Sequence, residues 1–191
     1  MLKLIAILIG VALSNLSFAD WVLVPNNSSF TIGTTKNESV TEIHKFLKLD
    51  GFVRNNGDAR VMVNLLSVDT GIEIRDERMQ AMLFSTATQA VYSATLDMET
   101  LRKIKAGKSK EFQLQGTLEM NGQSTSLPVT TKITRLHSGS YQIETVSANK
   151  IDVGQFGFSG GIEQLRAIAN LMDISPVVTF EFKLEFAPKE V

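Results

Sequence analysis

Two histidines and no cysteine limit the chemistry that this chain can perform. His44 and His137 are the only imidazoles among its 191 residues, and without cysteine there is no thiolate nucleophile, disulfide or Cys-ligated metal site. The two histidines form neither an HxH nor an HxxxH pair, so no metal site is expected. A formal net charge of −1 lacks the basic excess of nucleic-acid-binding proteins. We therefore expect a protein that is not an enzyme and has no nucleic-acid partner.

His44 lies in the strand-like segment Glu42–Phe46 and is the histidine to consider for catalysis. A hydrolase acting on lipid-like esters would need it beside a nucleophile and an orienting carboxylate. The sequence places neither group next to it, so we interpret His44 as a structural histidine, solvated or hydrogen-bonded. The hydrolase stays the last-ranked alternative. His137 lies in a predicted turn and is expected to be exposed.

The strongest constellation of polar residues runs from Ser67 to Met79. A predicted strand ends here, Asp69–Gly71 turn the chain, and Arg75 and Asp76 open a predicted helix. Acidic side chains near a helix N-terminus complement its dipole. We interpret Arg75 and Asp76 as residues that pin this corner to the rest of the fold through an ion pair, ahead of any catalytic role.

Alternation of apolar and polar residues dominates the elements that must position these groups. It is clearest in Phe112–Met120, in the return strand Leu127–Ile133, and in Val178–Phe186. Asn121-Gly122 joins the first two and predicts a type I′ hairpin turn, because both residues tolerate positive φ. Weaker strands are predicted at Trp21–Val24, Ser29–Thr35, Val40–Leu49, Gly51–Arg54, Ala59–Val68, Gln89–Met98 and Ser140–Val146.

Two segments have helical spacing instead, Arg75–Phe84 and Gly161–Met172. Their lengths suit short insertions between strands and not the crossovers of a parallel sheet. About eight strands joined by turns, with two short helices, predict an all-β fold, either an antiparallel barrel or a sandwich.

The first 19 residues have the pattern of a secretory signal peptide. Lys3 precedes an apolar run from Leu4 to Leu13, and Ser17 and Ala19 are the small residues of a cleavage site. The run is too short to span a bilayer, and no second long apolar segment follows. We expect residues 1–19 to be removed, residues 20–191 to form one domain, and the product to be periplasmic without a stable membrane span.

Several motifs together resemble the YceI-like family of lipid- or polyisoprenoid-binding proteins. The resemblance extends over essentially all of residues 20–186, and its most specific part is the block around Arg75-Asp76. The match at the start of this range consists of Trp21, Pro25, Ser28 or Ser29, and Phe30. The match in the block around Arg75-Asp76 consists of Ser67, Val68, Thr70, Arg75, Asp76, Met79, Leu83 and Phe84. The later G-x-L-x-x-N-G motif is matched by Gly116, Leu118, Asn121 and Gly122.

The resemblance implies an extended, lipocalin-like, eight-stranded antiparallel β-barrel whose interior holds a long isoprenoid or fatty-acyl chain. Arg75 and Asn37 are the candidates for contact with the head group at one mouth. Apolar side chains on the inward faces are the candidates for the lining: Phe30, Phe46, Phe52, Val63, Met79, Met82, Leu83, Phe112, Leu114, Leu118, Phe158, Leu165, Ile168, Phe180 and Phe182.

The leading hypothesis is therefore a periplasmic carrier of a polyisoprenoid, quinone-like or fatty-acyl lipid. It needs no cofactor beyond that bound lipid. The alternative is a periplasmic interaction or stress protein whose barrel is filled with side chains and binds a partner chain. A homodimer is compatible with either hypothesis.

Overall fold

Strands form most of the protein in the computed structural model, which describes residues 21–189. The predicted signal peptide lies outside the described residues. The strands are β1 (Trp21–Leu23), β2 (Ser29–Lys36), β3 (Val40–Phe46), β4 (Leu49–Val53), β5 (Asp58–Asn64), β6 (Val68–Asp69), β7 (Gln89–Thr95), β8 (Ser109–Met120), β9 (Gln123–Arg135), β10 (Tyr141–Thr145), β11 (Asn149–Asp152) and β12 (Val177–Pro188). The α-helices are α1 (Glu73–Met82), α2 (Met98–Arg102) and α3 (Ser159–Ile168).

Within the described residues these twelve segments build a closed barrel of eight antiparallel strands. The segments β1 and β2 follow one another along one side of β12, and β10 and β11 follow one another along its other side. On the side of β1 and β2, β3 pairs with β2 and β6 pairs with β3. In the same way, β4 pairs with β1 and β5 pairs with β4. The remaining strands β7, β8 and β9 complete the circle between β5 and β10. The all-β barrel predicted from the sequence is confirmed.

The long predicted strands are interrupted where side chains bind the backbone locally. The predicted strand Ala59–Val68 breaks after Asn64 because the Asn64 side chain accepts a hydrogen bond from the Leu66 N–H at 2.9 Å. Opposite this turn, the Lys48 N–H donates to Ser67 Oγ at 2.9 Å. The same turn therefore also interrupts the predicted strand Val40–Leu49. Such local hydrogen bonds compete with the ladder of a sheet.

The β8–β9 hairpin is the most regular part of the barrel. Its residues pair without interruption from Ser109↔Thr134 to Met120↔Gln123. Asn121 and Gly122 form the turn with φ of 50° and 70°, as the type I′ prediction requires.

The helices cover the two ends of the barrel. Helices α1 and α3 lie at the end where β7 and β12 begin, and they pack together through Gly161, where a β-carbon would overlap the Met82 carbonyl oxygen. Helix α2 follows β7 at the other end. This helix was not predicted from the sequence, although its N-cap is recognisable: Asp97 Oδ1 accepts from the Thr100 N–H at 3.0 Å.

Candidate functional site

A cavity of about 460 Å³ lies inside the barrel, toward the end covered by α1 and α3. This volume is within the range of small-molecule sites, about 300–1,000 Å³. The inward faces of the strands and of both helices provide an almost entirely apolar wall. Twelve of the residues predicted to line the barrel border this cavity: Phe30, Phe46, Val63, Met79, Leu83, Leu114, Leu118, Phe158, Leu165, Ile168, Phe180 and Phe182. Their contact with a ligand stays a prediction.

Phe52 does not line the cavity, which corrects the prediction from sequence. Its neighbour Val53 is only 5% exposed and borders the cavity. Successive side chains of a strand point to opposite faces, so Phe52 points out of the barrel. There the Arg54 guanidinium carbon lies 5.0 Å from the centre of its ring.

Met82 and Phe112 are also absent from the lining, for reasons of position along their elements. Met82 shares a helical face with Arg75 but lies at the C-terminus of α1, where Gly161 of α3 packs against its carbonyl group. Phe112 is on the inward face of β8 two residues before Leu114, and it pairs with Thr131 of β9 nearer the start of the strand. It therefore lies toward the α2 end, past the cavity.

The predicted head-group residue Asn37 is not in the lining either. Its Oδ1 accepts a hydrogen bond from the Met172 N–H at 3.0 Å, and its own N–H donates to the Asp173 carbonyl at 3.2 Å. These bonds fasten the β2–β3 turn to the segment between α3 and β12. The preceding residue, Lys36, borders the cavity instead.

One side of the cavity mouth carries a polar cluster that consists of Thr34, Lys36, Glu42, His44, Arg75 and Arg78. All six residues border the cavity. The β2–β3 register places Thr34 opposite Glu42, and α1 contributes the two arginines. Of the described residues around the cavity, the charged ones are three cations and one anion, so this cluster has a surplus of positive charge.

Glu42 holds the cluster together. Its Oε2 accepts from Lys36 Nζ at 3.0 Å and from Arg75 Nη1 at 2.9 Å. The Lys36 hydrogen bond, followed by the positive charge of Arg75, lowers the pKa of this carboxyl group. Arg75 Nη2 also donates to the Thr70 carbonyl at 2.7 Å. The ion pair of the α1 corner is thus formed with Glu42 on β3, while Asp76 binds Thr70.

His44 is 3% exposed and lies at the inner edge of this cluster. Its Nε2 is 2.9 Å from Thr34 Oγ1, whereas its Nδ1 is buried without a hydrogen-bond partner in the described structure. Burial, and next the nearby Arg75 charge, lowers the pKa of the imidazole. The ring is therefore neutral near pH 7, with one nitrogen left unsatisfied.

Arg78 is the cation of the cluster that is not engaged by the protein. It is exposed, three residues after Arg75 on α1, and makes no hydrogen bond or ion pair with residues 21–189. The cavity residues that were not predicted from the sequence include Lys36, Glu42, Arg78 and Tyr92. The i, i+3 spacing of Arg75 and Arg78 was the available signal, since such residues share a helix face.

Other site types find no support in the described part of the chain. Residues 21–189 contain no cluster of three His, Asp or Glu side chains that could hold a metal ion. None of the helices within that range has the length and hydrophobicity of a membrane-spanning segment.

Comparison with known proteins gives a family match and structural relatives. A family model described as YceI-like domain matches residues 21–186. A polyisoprenoid-binding domain from Saccharophagus degradans, implicated in plant cell wall breakdown, superposes with a TM-score of 0.86 at 26% identity, covering 90% of this chain and 100% of that domain. Burkholderia cenocepacia BcnA superposes with a TM-score of 0.65 at 15% identity, covering 85% and 98%, which shows a shared fold. No curated protein sequence matches the chain.

Proposed function

The chain belongs to the YceI-like family, and from that premise we propose that it binds a long-chain amphipathic lipid with the tail inside the barrel. The observation that carries the proposal is the apolar cavity of about 460 Å³ with a polar cluster on one side of its mouth. The similarity to a domain described as polyisoprenoid-binding supports the same ligand class. Polyisoprenoid, quinone-like and fatty-acyl tails all fit this description.

The arrangement of the site favours one orientation of the ligand. Burial of each methylene group contributes about 0.8 kcal/mol, so the apolar interior suits the tail. The head group belongs at the mouth, beside Lys36, Arg75 and Arg78. Because Arg78 has no partner among the described residues and the cluster has excess positive charge, a carboxylate or phosphate head group is favoured over a neutral one.

Binding, and not catalysis, is the activity that these residues support. Gly157–Gly161 match the G-x-S-x-G pattern of serine hydrolases, but a 3-10 turn precedes them where the hydrolase elbow has a strand. Ser159 is exposed at the start of α3, whereas His44 is buried and bonded to Thr34. No carboxylate within residues 21–189 hydrogen-bonds His44 Nδ1 to orient the ring.

A barrel filled throughout with side chains, the premise of the alternative interaction protein, does not describe this interior. Within residues 21–189 the α2 end is filled, with a void of about 10 Å³, while the other end holds the cavity. The larger cavity favours the carrier.

A homodimer stays a prediction, for which light scattering of the purified protein is the measurement.

We further propose that the protein works in the periplasm after removal of residues 1–19. The proposal rests on the signal-peptide pattern from Lys3 to Ala19. Mass measurement of the secreted chain, after cell fractionation, is the test. A chain that begins at Asp20 in the periplasmic fraction supports export, and an intact Met1 in the cytoplasmic fraction contradicts it.

Lipid binding is tested first by native mass spectrometry of protein purified from its own cells, with mass analysis of the solvent extract. A stoichiometric prenyl or acyl lipid supports the proposal. The second test is titration of delipidated protein with hexadecanoate and farnesol. If neither lipid binds or raises Tm, and no lipid is extracted, the carrier function is rejected.

A pair of variants on β7 shows whether binding occurs inside the barrel. Ala90 borders the cavity, whereas Ser93 is on the opposite face of the same strand. Ala90→Leu reduces the space for the tail and is expected to weaken hexadecanoate binding. Ser93→Leu adds a similar side chain outside and is expected to leave binding unchanged. Equal effects of the two substitutions would place the lipid elsewhere.

A further inference from the structure

A layer of apolar side chains divides the barrel interior into a hollow half and a filled half. Val53, Leu96, Ile143 and Phe186 border the large cavity and also the small void of about 10 Å³ on its other side. We call these four residues the floor. Beyond the floor, toward α2, residues 21–189 leave a void of about 10 Å³, which is too small for a ligand chain.

Phe186 is the largest residue of the floor, and a glycine allows its position. It pairs with Leu23 on β1, and its side chain is 2% exposed. A β-carbon at Gly51 on β4 would lie 2.8 Å from the Arg60 carbonyl oxygen, 3.3 Å from Phe186 Cε1 and 3.5 Å from Leu23 Cδ1. The Phe186 ring therefore reaches across β1 and packs over Gly51, where a larger residue would displace it.

The filled half below the floor is a well-packed plug. Leu101 and Met98 of α2 are 3% and 7% exposed, and Ile133 is fully buried. The rings of Trp21 and Tyr141 meet edge to face with their centres 6.0 Å apart. Interiors packed in this way do not open to admit extra atoms without cost.

We propose that the floor sets the maximum length of the lipid tail, so that the protein selects single-chain lipids by length. This inference rests on the proposed lipid-binding function. With the head group held at the mouth by the polar cluster, the tail extends inward until its end meets Phe186 and Leu96. A longer tail has to leave methylene groups outside the cavity or disturb the plug.

The experiment is a chain-length series on the delipidated full chain. Straight-chain fatty acids of 8 to 20 carbons, below their micelle concentrations, displace a fluorescent probe from the cavity. Each added methylene is expected to lower Kd about fourfold until the tail reaches the floor, after which Kd stops falling or rises. A Kd that keeps falling across the whole series would overturn the proposal that the floor limits the tail length.

Two variants with the same chemical change separate the floor from the plug. Leu96→Ala removes three carbon atoms from the floor. It is expected to make the optimum, the fatty-acid chain length with the lowest Kd, about two carbons longer. Leu101→Ala removes the same atoms from the plug, where the residue borders only the small void. It is expected to lower stability without moving the optimum. An optimum that stays in place in Leu96→Ala, or moves equally in both variants, contradicts the proposal.

A third variant keeps the test valid if a leucine substitution prevents folding. Ala94 borders the cavity two residues before Leu96, on the same face of the chain. Ala94→Leu fills empty space above the floor and is expected to shift the optimum to shorter chains. If the chain length with the lowest Kd does not change in this folded variant, the proposal is overturned. Absence of binding by every fatty acid and by farnesol, together with the absence of an extractable lipid, instead rejects the lipid-binding function itself.

Discussion

The ring of Tyr92 on β7 lies directly over Gly116 on β8, where a β-carbon would overlap it. From there its hydroxyl group reaches β9 and donates to the Leu127 carbonyl at 3.0 Å. Burial raises the pKa of this phenol to about 12. One side chain therefore covers three neighbouring strands and forms a flat part of the cavity wall. The glycine of the G-x-L-x-x-N-G motif has this packing role.

Gly116→Ala is expected to destabilise the protein by about 1–3 kcal/mol, because the methyl group collides with the Tyr92 ring. Gly160→Ala is the matched control: Gly160 is in α3 and has no atom within 4 Å of its β-carbon position. That substitution is expected to be neutral or stabilising, since alanine is the better helix former. Chemical denaturation measures both. An equal loss of stability in the two variants would contradict the packing role.

Arg78→Gln is expected to weaken hexadecanoate binding about two- to fivefold and to leave hexadecanol binding unchanged. The reason is that an exposed cation contributes to attraction of a carboxylate but not of a hydroxyl group. Lys45→Gln is the control, because Lys45 is exposed on β3 and does not border the cavity. If both lipids lose affinity equally, Arg78 does not recognise the charge of the head group.

Glu42→Gln is expected to strengthen binding of hexadecanoate relative to hexadecanol, since it removes the anion of the polar cluster. The same change breaks the ion pairs with Lys36 and Arg75 and is expected to cost about 1 kcal/mol of stability. Glu144→Gln is the control, because it breaks the ion pair with Lys132 away from the cavity. Calorimetric titration checks the preference, and an unchanged ratio of the two affinities in Glu42→Gln would contradict it.

His44 is expected to make the stability of the protein fall as the pH is lowered from 7.5 to 5. The unfolded chain protonates this histidine near its ordinary pKa of 6.5, whereas burial lowers the pKa in the folded protein, which therefore takes up this proton at a lower pH. Protons therefore bind preferentially to the unfolded chain below pH 6.5, and the free energy of unfolding decreases. The lowered pKa of Glu42 affects the free energy of unfolding in a separate pH range, below the ordinary carboxyl pKa of 4.5.

The measurement is urea denaturation at several pH values for the wild type and His44→Gln. The variant lacks the titrating group and is expected to show a shallower decrease between pH 7.5 and 5. Parallel pH profiles for the two proteins would show that His44 is not responsible.

The face of a residue was easier to predict than its place along the barrel. Leu114 and Phe112 follow the same alternation, yet only Leu114 borders the cavity, because the cavity stops before Phe112. Asn37 and Lys36 are neighbours at a turn, but of the two Lys36 borders the cavity. The Asn37 side-chain oxygen accepts a hydrogen bond from the Met172 N–H, 135 residues away in the chain.

The sequence by itself determined most of the strands and the hairpin at Asn121-Gly122, because period-two alternation and turn residues act over short distances. Its motifs also determined the resemblance to the family. Only the tertiary structure decided that the barrel is hollow at one end and filled at the other. That division depends on the reach of Phe186 over Gly51 and on how α1, α2 and α3 close the ends. These contacts join residues far apart in the chain, and packing of side chains from many strands has no signature in local sequence.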